Sequence, residues 1–90
     1  MMRHGTRREV SEQELSSVRD ADLRYAVTIE WSDTDQAYIA RVPDLPGCTA
    51  DGATYEQAAA EIREAMRLWL WVAKDRGETV PEPSKAFAAA

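Results

Sequence analysis

The sequence predicts a small α+β domain in which an antiparallel sheet packs on one long helix. Residues 25–31 alternate between apolar and polar positions, which is typical of a half-buried strand. A second apolar stretch, residues 37–42, follows a short polar turn and completes a hairpin. Residues 55–76 repeat their apolar positions with the 3.6-residue period of an amphipathic helix.

The chain is predicted to begin with an N-terminal extension, residues 1–24, that is partly helical or disordered, followed by the domain of residues 25–90. The extension is polar and could not hold a core alone. Ser11 followed by Glu14 has the spacing of a capping box, so a short helix is possible there. The extension could be a partner-binding arm, an oligomer contact or a loose tail.

The predicted hairpin turns at "SDTDQ", residues 32–36, whose side chains commonly bond their own backbone. Its second strand must end near Val42, because Pro43 has no N–H for the sheet ladder. Alternation places four residues of the first strand on one face: Tyr25, Val27, Ile29 and Trp31.

Two prolines and a glycine restrict the backbone over residues 43–47, hereafter the corner. We expect Asp44 and Leu45 to protrude from it, and residues 48–51 to form a short third strand. Two interpretations stay open. The corner is either a turn only, or a rigid surface that also meets a partner at little ordering cost.

The long helix is predicted from Tyr55 to Arg76, with a capping box at Thr54 and Gln57 and a stop at Gly77. The tail "SKAFAAA" is compatible with a short fourth strand or a frayed end. One helix face should pack on the sheet, and it comprises Tyr55, Ala58, Ala59, Ile62, Met66, Trp69, Leu70 and Ala73.

Trp71 lies on the opposite side of this helix from Ile62, with Leu68 partly beside it. A single exposed aromatic residue is one explanation, since protein surfaces are largely apolar anyway. The other is an oligomer interface, where tryptophan is enriched. We expect Leu68 and Trp71 to contribute to a homo-oligomer, a dimer or higher, because a 90-residue chain buries only a small core.

Composition excludes several classes of function. Sixteen acidic and eleven basic residues give a net charge of -5, which repels nucleic acid and suits a basic partner. The single cysteine cannot form an internal disulfide, which indicates a reducing compartment, and we expect a cytoplasmic location. The longest apolar run, residues 68–73, is too short to span a bilayer, so no membrane association is expected.

The order of "YAVTIEW", "AYIARVPDLPGCTADGAT", "YEQAAAEIREAMRLWL" and "PEPS" resembles the HicB-like antitoxins of bacterial toxin–antitoxin pairs over residues 25–84. The specific part is the strand that enters the Pro-Asp-Leu-Pro-Gly-Cys corner. The resemblance implies a partial RNase H-like β-β-β-α-β domain. It also implies a partner, a small HicA-like mRNA endonuclease whose catalytic histidine the antitoxin covers.

Full-length members of this family usually add a C-terminal helix-turn-helix or ribbon-helix-helix domain. This chain ends six residues after Ser84, so we expect no direct DNA binding. The candidate toxin-binding residues are Asp44, Leu45 and Asp51, all in or beside the corner.

No catalytic, metal or cofactor residues are predicted. The loop acids Asp33 and Asp35 lie at a hairpin tip, and Asp44 and Asp51 flank the corner, so their spacing indicates no shared metal. His4 lies in the polar start of the chain, and Cys48 has no histidine nearby to activate it.

Three arginines near the start, at positions 3, 7 and 8, lack the interleaved aromatics of a nucleic-acid platform. The sequence therefore predicts a non-catalytic antitoxin. The alternatives are an orphan homo-oligomeric module that binds another protein and a minimal metal-dependent RNase H-type nuclease.

Overall fold

The computed structural model describes residues 17–83. A single turn of 3-10 helix, Asp20–Asp22, leads into three strands and one long helix. The elements are β1 (Thr28–Ser32), β2 (Ala37–Arg41), β3 (Thr49–Gly52) and α1 (Tyr55–Asp75). The predicted α+β class, with an antiparallel sheet on one long helix, is confirmed.

The sheet has the order β1-β2-β3, and both strand pairs are antiparallel. Its register pairs Ile29 with Ala40, and Ala40 with Ala50, so one residue of each strand meets on the face toward α1. Ala40 is completely buried there. The predicted alternation of side chains between the two faces of the first strand is confirmed, although β1 begins only at Thr28. Tyr25 and Val27 pack against the core from the segment before it.

Both ends of α1 are fixed by local hydrogen bonds. At its start, the Thr54 hydroxyl accepts from the Gln57 N–H at 3.0 Å. At its end, Gly77 adopts a φ of 71°, and the Glu78 N–H returns to the Ala73 carbonyl at 2.8 Å. This double turn is the Schellman arrangement that glycine favours. The helix therefore begins at the predicted residue and ends one residue before the predicted end.

The core lies between α1 and the sheet. Five residues of the predicted helix face are buried: Ala58, Ile62, Met66, Leu70 and Ala73. Tyr55 is an exception, because 56% of its surface is exposed. Val18 and Leu23 are also buried in this core, so the described part of the N-terminal extension packs on the domain.

Within residues 17–83 the chain forms no fourth strand. The predicted capping box at Ser11 and Glu14 and the predicted fourth strand in "SKAFAAA" lie outside the described residues. The likeness to an RNase H fold therefore stays an expectation. None of the helices in the described part of the chain has the length and apolar character needed to cross a membrane.

Candidate functional site: the corner and its surroundings

The corner consists of two successive turns closed by three backbone hydrogen bonds. The Leu45 N–H donates to the Val42 carbonyl at 3.0 Å, and the Cys48 N–H donates to the Leu45 carbonyl at 3.0 Å. The Val42 N–H donates to the Cys48 carbonyl at 3.1 Å and closes the loop at its base. In the second turn Gly47 has a φ of 79° after Pro46, which matches the residue preferences of a type II turn.

Leu45 does not protrude from the corner as the sequence analysis expected. Its side chain is 0% exposed, and Val42 and Cys48, three residues to either side, are almost as deeply buried. The two turns have a three-residue spacing that points these apolar side chains into the core. Full burial of a leucine stabilises a fold by about 1.5–3 kcal/mol, which favours this orientation. As a candidate contact for a toxin, Leu45 thus offers no surface in this conformation.

A helix side chain holds the corner in place. The indole Nε1 of Trp69 donates to the carbonyl oxygen of Pro46 at 2.9 Å. This hydrogen bond joins the corner to α1. Sequence periodicity placed Trp69 on the packed face but gave no signal for this hydrogen bond.

The two acidic candidates lie in the same loop-and-strand unit. Asp44 is half-buried in the corner, and Asp51 is exposed at the third position of β3, opposite Ile39 of β2. Asp44 also acts on Tyr25: burial raises the pKa of the Tyr25 hydroxyl, and the negative charge of Asp44 raises it further. Both carboxylates are thus carried by elements whose backbone is fixed by hydrogen bonds.

Cys48 behaves as a core residue. It is 4% exposed, and burial raises the pKa of its thiol. A raised pKa reduces the thiolate fraction at neutral pH, and the thiolate is the reactive form. The arrangement favours packing over nucleophilic chemistry.

The hairpin acids have local partners. Asp33 Oδ1 accepts a hydrogen bond from Trp31 Nε1 at 2.8 Å, and Asp35 Oδ2 accepts one from the Ser32 hydroxyl at 3.0 Å. Across residues 17–83, no three histidine, cysteine or acidic side chains come together as metal ligands would. His4 and the arginines at positions 3, 7 and 8 lie outside the described residues.

The two predicted oligomer residues have different surroundings. Leu68 is 44% exposed and lines a groove of about 390 Å³ between α1 and the start of β3, together with Trp69 and Val72. Trp71 does not point away from the core as expected, because it is partly buried and packs against the core cluster. Arg67, one helical turn before Trp71, binds the segment at residues 18–20.

The fold and the corner define the class of protein: a small β-β-β-α domain whose second and third strands are joined by a rigid Pro-Asp-Leu-Pro-Gly-Cys loop. Residues 25–89 match the family profile described as the HicB_like antitoxin of bacterial toxin-antitoxin system. The chain belongs to this HicB-like antitoxin family. The family supports an antitoxin role and, in general, a toxin as partner.

Curated relatives agree with this assignment. A UPF0150 protein of Thermoplasma acidophilum is 37% identical over 59 residues, which cover 66% of this chain and 84% of that protein. A UPF0150 protein of Archaeoglobus fulgidus is 34% identical over 53 residues, 59% of this chain and 75% of that protein. A Helicobacter pylori UPF0150 protein is 44% identical over 36 residues, 40% of this chain and half of that protein. No solved structure matches at a significant level.

Proposed function

We propose that this protein is a cytoplasmic antitoxin that binds a HicA-like mRNA endonuclease and neutralises it by covering its active site. The observation that carries the proposal is the family match over residues 25–89. Occlusion needs no catalytic group and no cofactor in the antitoxin. It needs a surface that is complementary to the toxin and rigid enough to bind without a large ordering cost.

The charges of the chain support a basic partner. A net charge of -5 should speed encounter with a cationic ribonuclease and disfavour competing contact with RNA. Asp44 and Asp51 are the first residues to test, because both carboxylates lie at the surface on backbone fixed by hydrogen bonds. Leu45 is fully buried, so its side chain presents no surface to a partner in this conformation.

We further propose that the free antitoxin is a homo-oligomer, most simply a dimer, in which Leu68 contributes to the contact. An exposed leucine beside an apolar groove favours association in a domain with a small core. Leu68→Glu should then yield a folded monomer by light scattering. Trp71 is a poorer probe, because a charge at this packed position also disturbs the core.

The test is co-expression with a small basic protein encoded beside this gene. Growth rescue and co-purification of the two proteins would support the antitoxin, whereas a free toxin and continued growth arrest would contradict it. Purified antitoxin with Mg²⁺ or Mn²⁺ should leave RNA intact. Cleavage that Asp33→Asn or Asp44→Asn abolished would instead support the nuclease.

Charge reversal locates the contact. Asp44→Lys and Asp51→Lys should slow association and weaken its salt dependence, because rim charges act mainly on encounter. Glu61→Lys is the matched control, since Glu61 is an exposed acid on α1 outside the corner. Equal association rates for all three variants would place the interface away from the corner.

A further inference from the structure

Three aromatic rings form a continuous row at the hairpin end of the domain. Trp31 of β1 meets Tyr38 of β2 in a T-shaped contact, with ring centroids 5.1 Å apart. Tyr38 in turn contacts Tyr55, the first residue of α1, with centroids 4.2 Å apart. These three residues are hereafter the aromatic row.

The outer members of the row are unusually accessible. Trp31 is 47% exposed and Tyr55 is 56% exposed, and they are two of the three large hydrophobic residues exposed within residues 17–83. The helix starts beside β3, the strand at the opposite edge of the sheet from β1. Gly52 permits that placement, because a Cβ on it would lie 2.5 Å from the Ala58 nitrogen. The first turn of α1 thus lies against β3, and the two outer rings of the aromatic row, Trp31 and Tyr55, remain exposed.

The sequence around the aromatic row is predominantly acidic. Residues 25–62, which supply the three rings and the elements around them, contain one basic residue, Arg41 at the last position of β2. Glu56 follows Tyr55 in α1. Asp33 also binds the indole N–H of Trp31 at 2.8 Å, which fixes the ring and places a carboxylate at its edge.

We propose that the aromatic row is a docking surface for an arginine side chain of a basic protein partner. The inference rests on the proposed function, and it names a second part of the toxin contact in addition to the corner. A guanidinium group stacks on aromatic faces and pairs with carboxylates, and the row with Asp33 offers both. The same negative charges repel a nucleic acid backbone, so stacked bases are a poor occupant despite the exposed rings.

The first experiment measures affinity for the co-expressed toxin by titration calorimetry. Trp31→Ala and Tyr55→Ala should each weaken binding by about tenfold or more, and Asp33→Asn, which keeps an acceptor for Trp31, should weaken it less. Thr79→Ala is the control, since Thr79 is an exposed, uncharged residue that lies outside the aromatic row. Thermal unfolding and light scattering of each variant confirm that fold and assembly are retained.

The second experiment does not depend on the toxin. Tetra-arginine peptide is titrated into the wild-type protein, with tetra-glutamate as the control, and the indole N–H signals are followed by NMR. Tetra-arginine should move the Trp31 signal and leave that of Trp69, which is bonded to Pro46, in place.

The outcomes separate the two proposals. If the toxin binds with equal affinity to the wild type, Trp31→Ala and Tyr55→Ala, the docking surface is overturned and the antitoxin role remains intact. If the wild type binds no toxin, the antitoxin role fails and the peptide titration decides the docking surface. A shifted Trp31 signal then supports it, and an unmoved signal overturns it.

Discussion

The guanidinium group of Arg67 holds Asp20 against the long helix, with 2.9 Å between Nη2 and Oδ1. The same group donates through Nη1 to the carbonyl oxygen of Val18. Arg63 adds a second contact to the Asp20 carboxylate at 3.1 Å. Because Val18 is completely buried, these bonds fasten a segment that is part of the core rather than a loose arm.

Loss of the Arg67 contacts should release the segment at residues 18–23 while the rest of the domain stays folded. In Arg67→Ala, amide hydrogen exchange over residues 18–23 should rise while exchange in the centre of α1 changes little, because local opening exposes only the segment. Arg63→Ala should show a smaller rise, since Arg63 contacts Asp20 but not the Val18 carbonyl. Equal exchange in wild type and Arg67→Ala would contradict this role for Arg67.

The same contact makes the segment sensitive to acid. The hydrogen bond from Arg67, followed by the charge of Arg63, lowers the pKa of the Asp20 carboxyl from its usual 3.8. The folded pKa therefore lies below the unfolded one. The contribution of Asp20 to stability is present above the pKa of its unfolded state, and it is lost as pH falls through the pKa of its folded state.

We expect NMR titration to place the pKa of Asp20 below 3.8 in the wild type and closer to 3.8 in Arg67→Ala. Added salt should reduce the difference, because the Asp20 side chain is largely exposed. A titration that Arg67→Ala leaves unchanged would exclude the hydrogen bond as the cause.

The elements that could be predicted from the sequence are those determined by residues close together in the chain. The alternation around Ile29 set the face of β1, and the cap at Thr54 and the glycine at position 77 marked the ends of α1. Each of these signals acts within a few residues, so no knowledge of tertiary contacts was needed.

The errors have a common tertiary cause. Leu45 was expected outside because prolines flank it, yet the two turns of the corner point it into the core. Trp71 was expected outside because it lies opposite Ile62, yet it is partly buried and packs against the core cluster. The aromatic row was missed because its rings come from three separate elements, which the register of the sheet and the packing of α1 bring together.

Gly52 is expected to be intolerant of any side chain. A Cβ at this position would lie 2.5 Å from the Ala58 nitrogen and 2.8 Å from the Gln57 carbonyl carbon, both backbone atoms that cannot rotate away. Gly52→Ala should therefore lower the free energy of unfolding by about 1–3 kcal/mol in denaturant titrations.

Gly47 provides the matched comparison, because it has open space around its Cα but a φ of 79°. Asparagine tolerates this left-handed conformation better than alanine. Gly47→Asn should therefore be milder than Gly47→Ala, whereas Gly52→Asn should be at least as damaging as Gly52→Ala. The opposite ranking at position 52 would show that the helix can move away from β3.

Substitutions at two adjacent residues of the corner can separate an effect on stability from an effect on toxin binding. Leu45 is fully buried and Asp44 beside it is only half-buried. Truncation of a buried leucine to alanine costs about 2–5 kcal/mol, a large part of the stability of a small domain. Leu45→Ala should therefore lower the melting temperature by roughly 10 °C or more. Leu45→Met, which nearly conserves volume, should cost less than about 1.5 kcal/mol.

Toxin binding should follow the opposite order. Where Leu45→Ala remains folded, at low temperature, it should bind the toxin with nearly wild-type association and dissociation rates, because this side chain has no exposed surface. Asp44→Lys should keep most of the melting temperature and slow association, most strongly at low salt. If Leu45→Ala instead melts like the wild type and releases the toxin faster, the leucine is exposed in solution and the corner binds through an apolar contact.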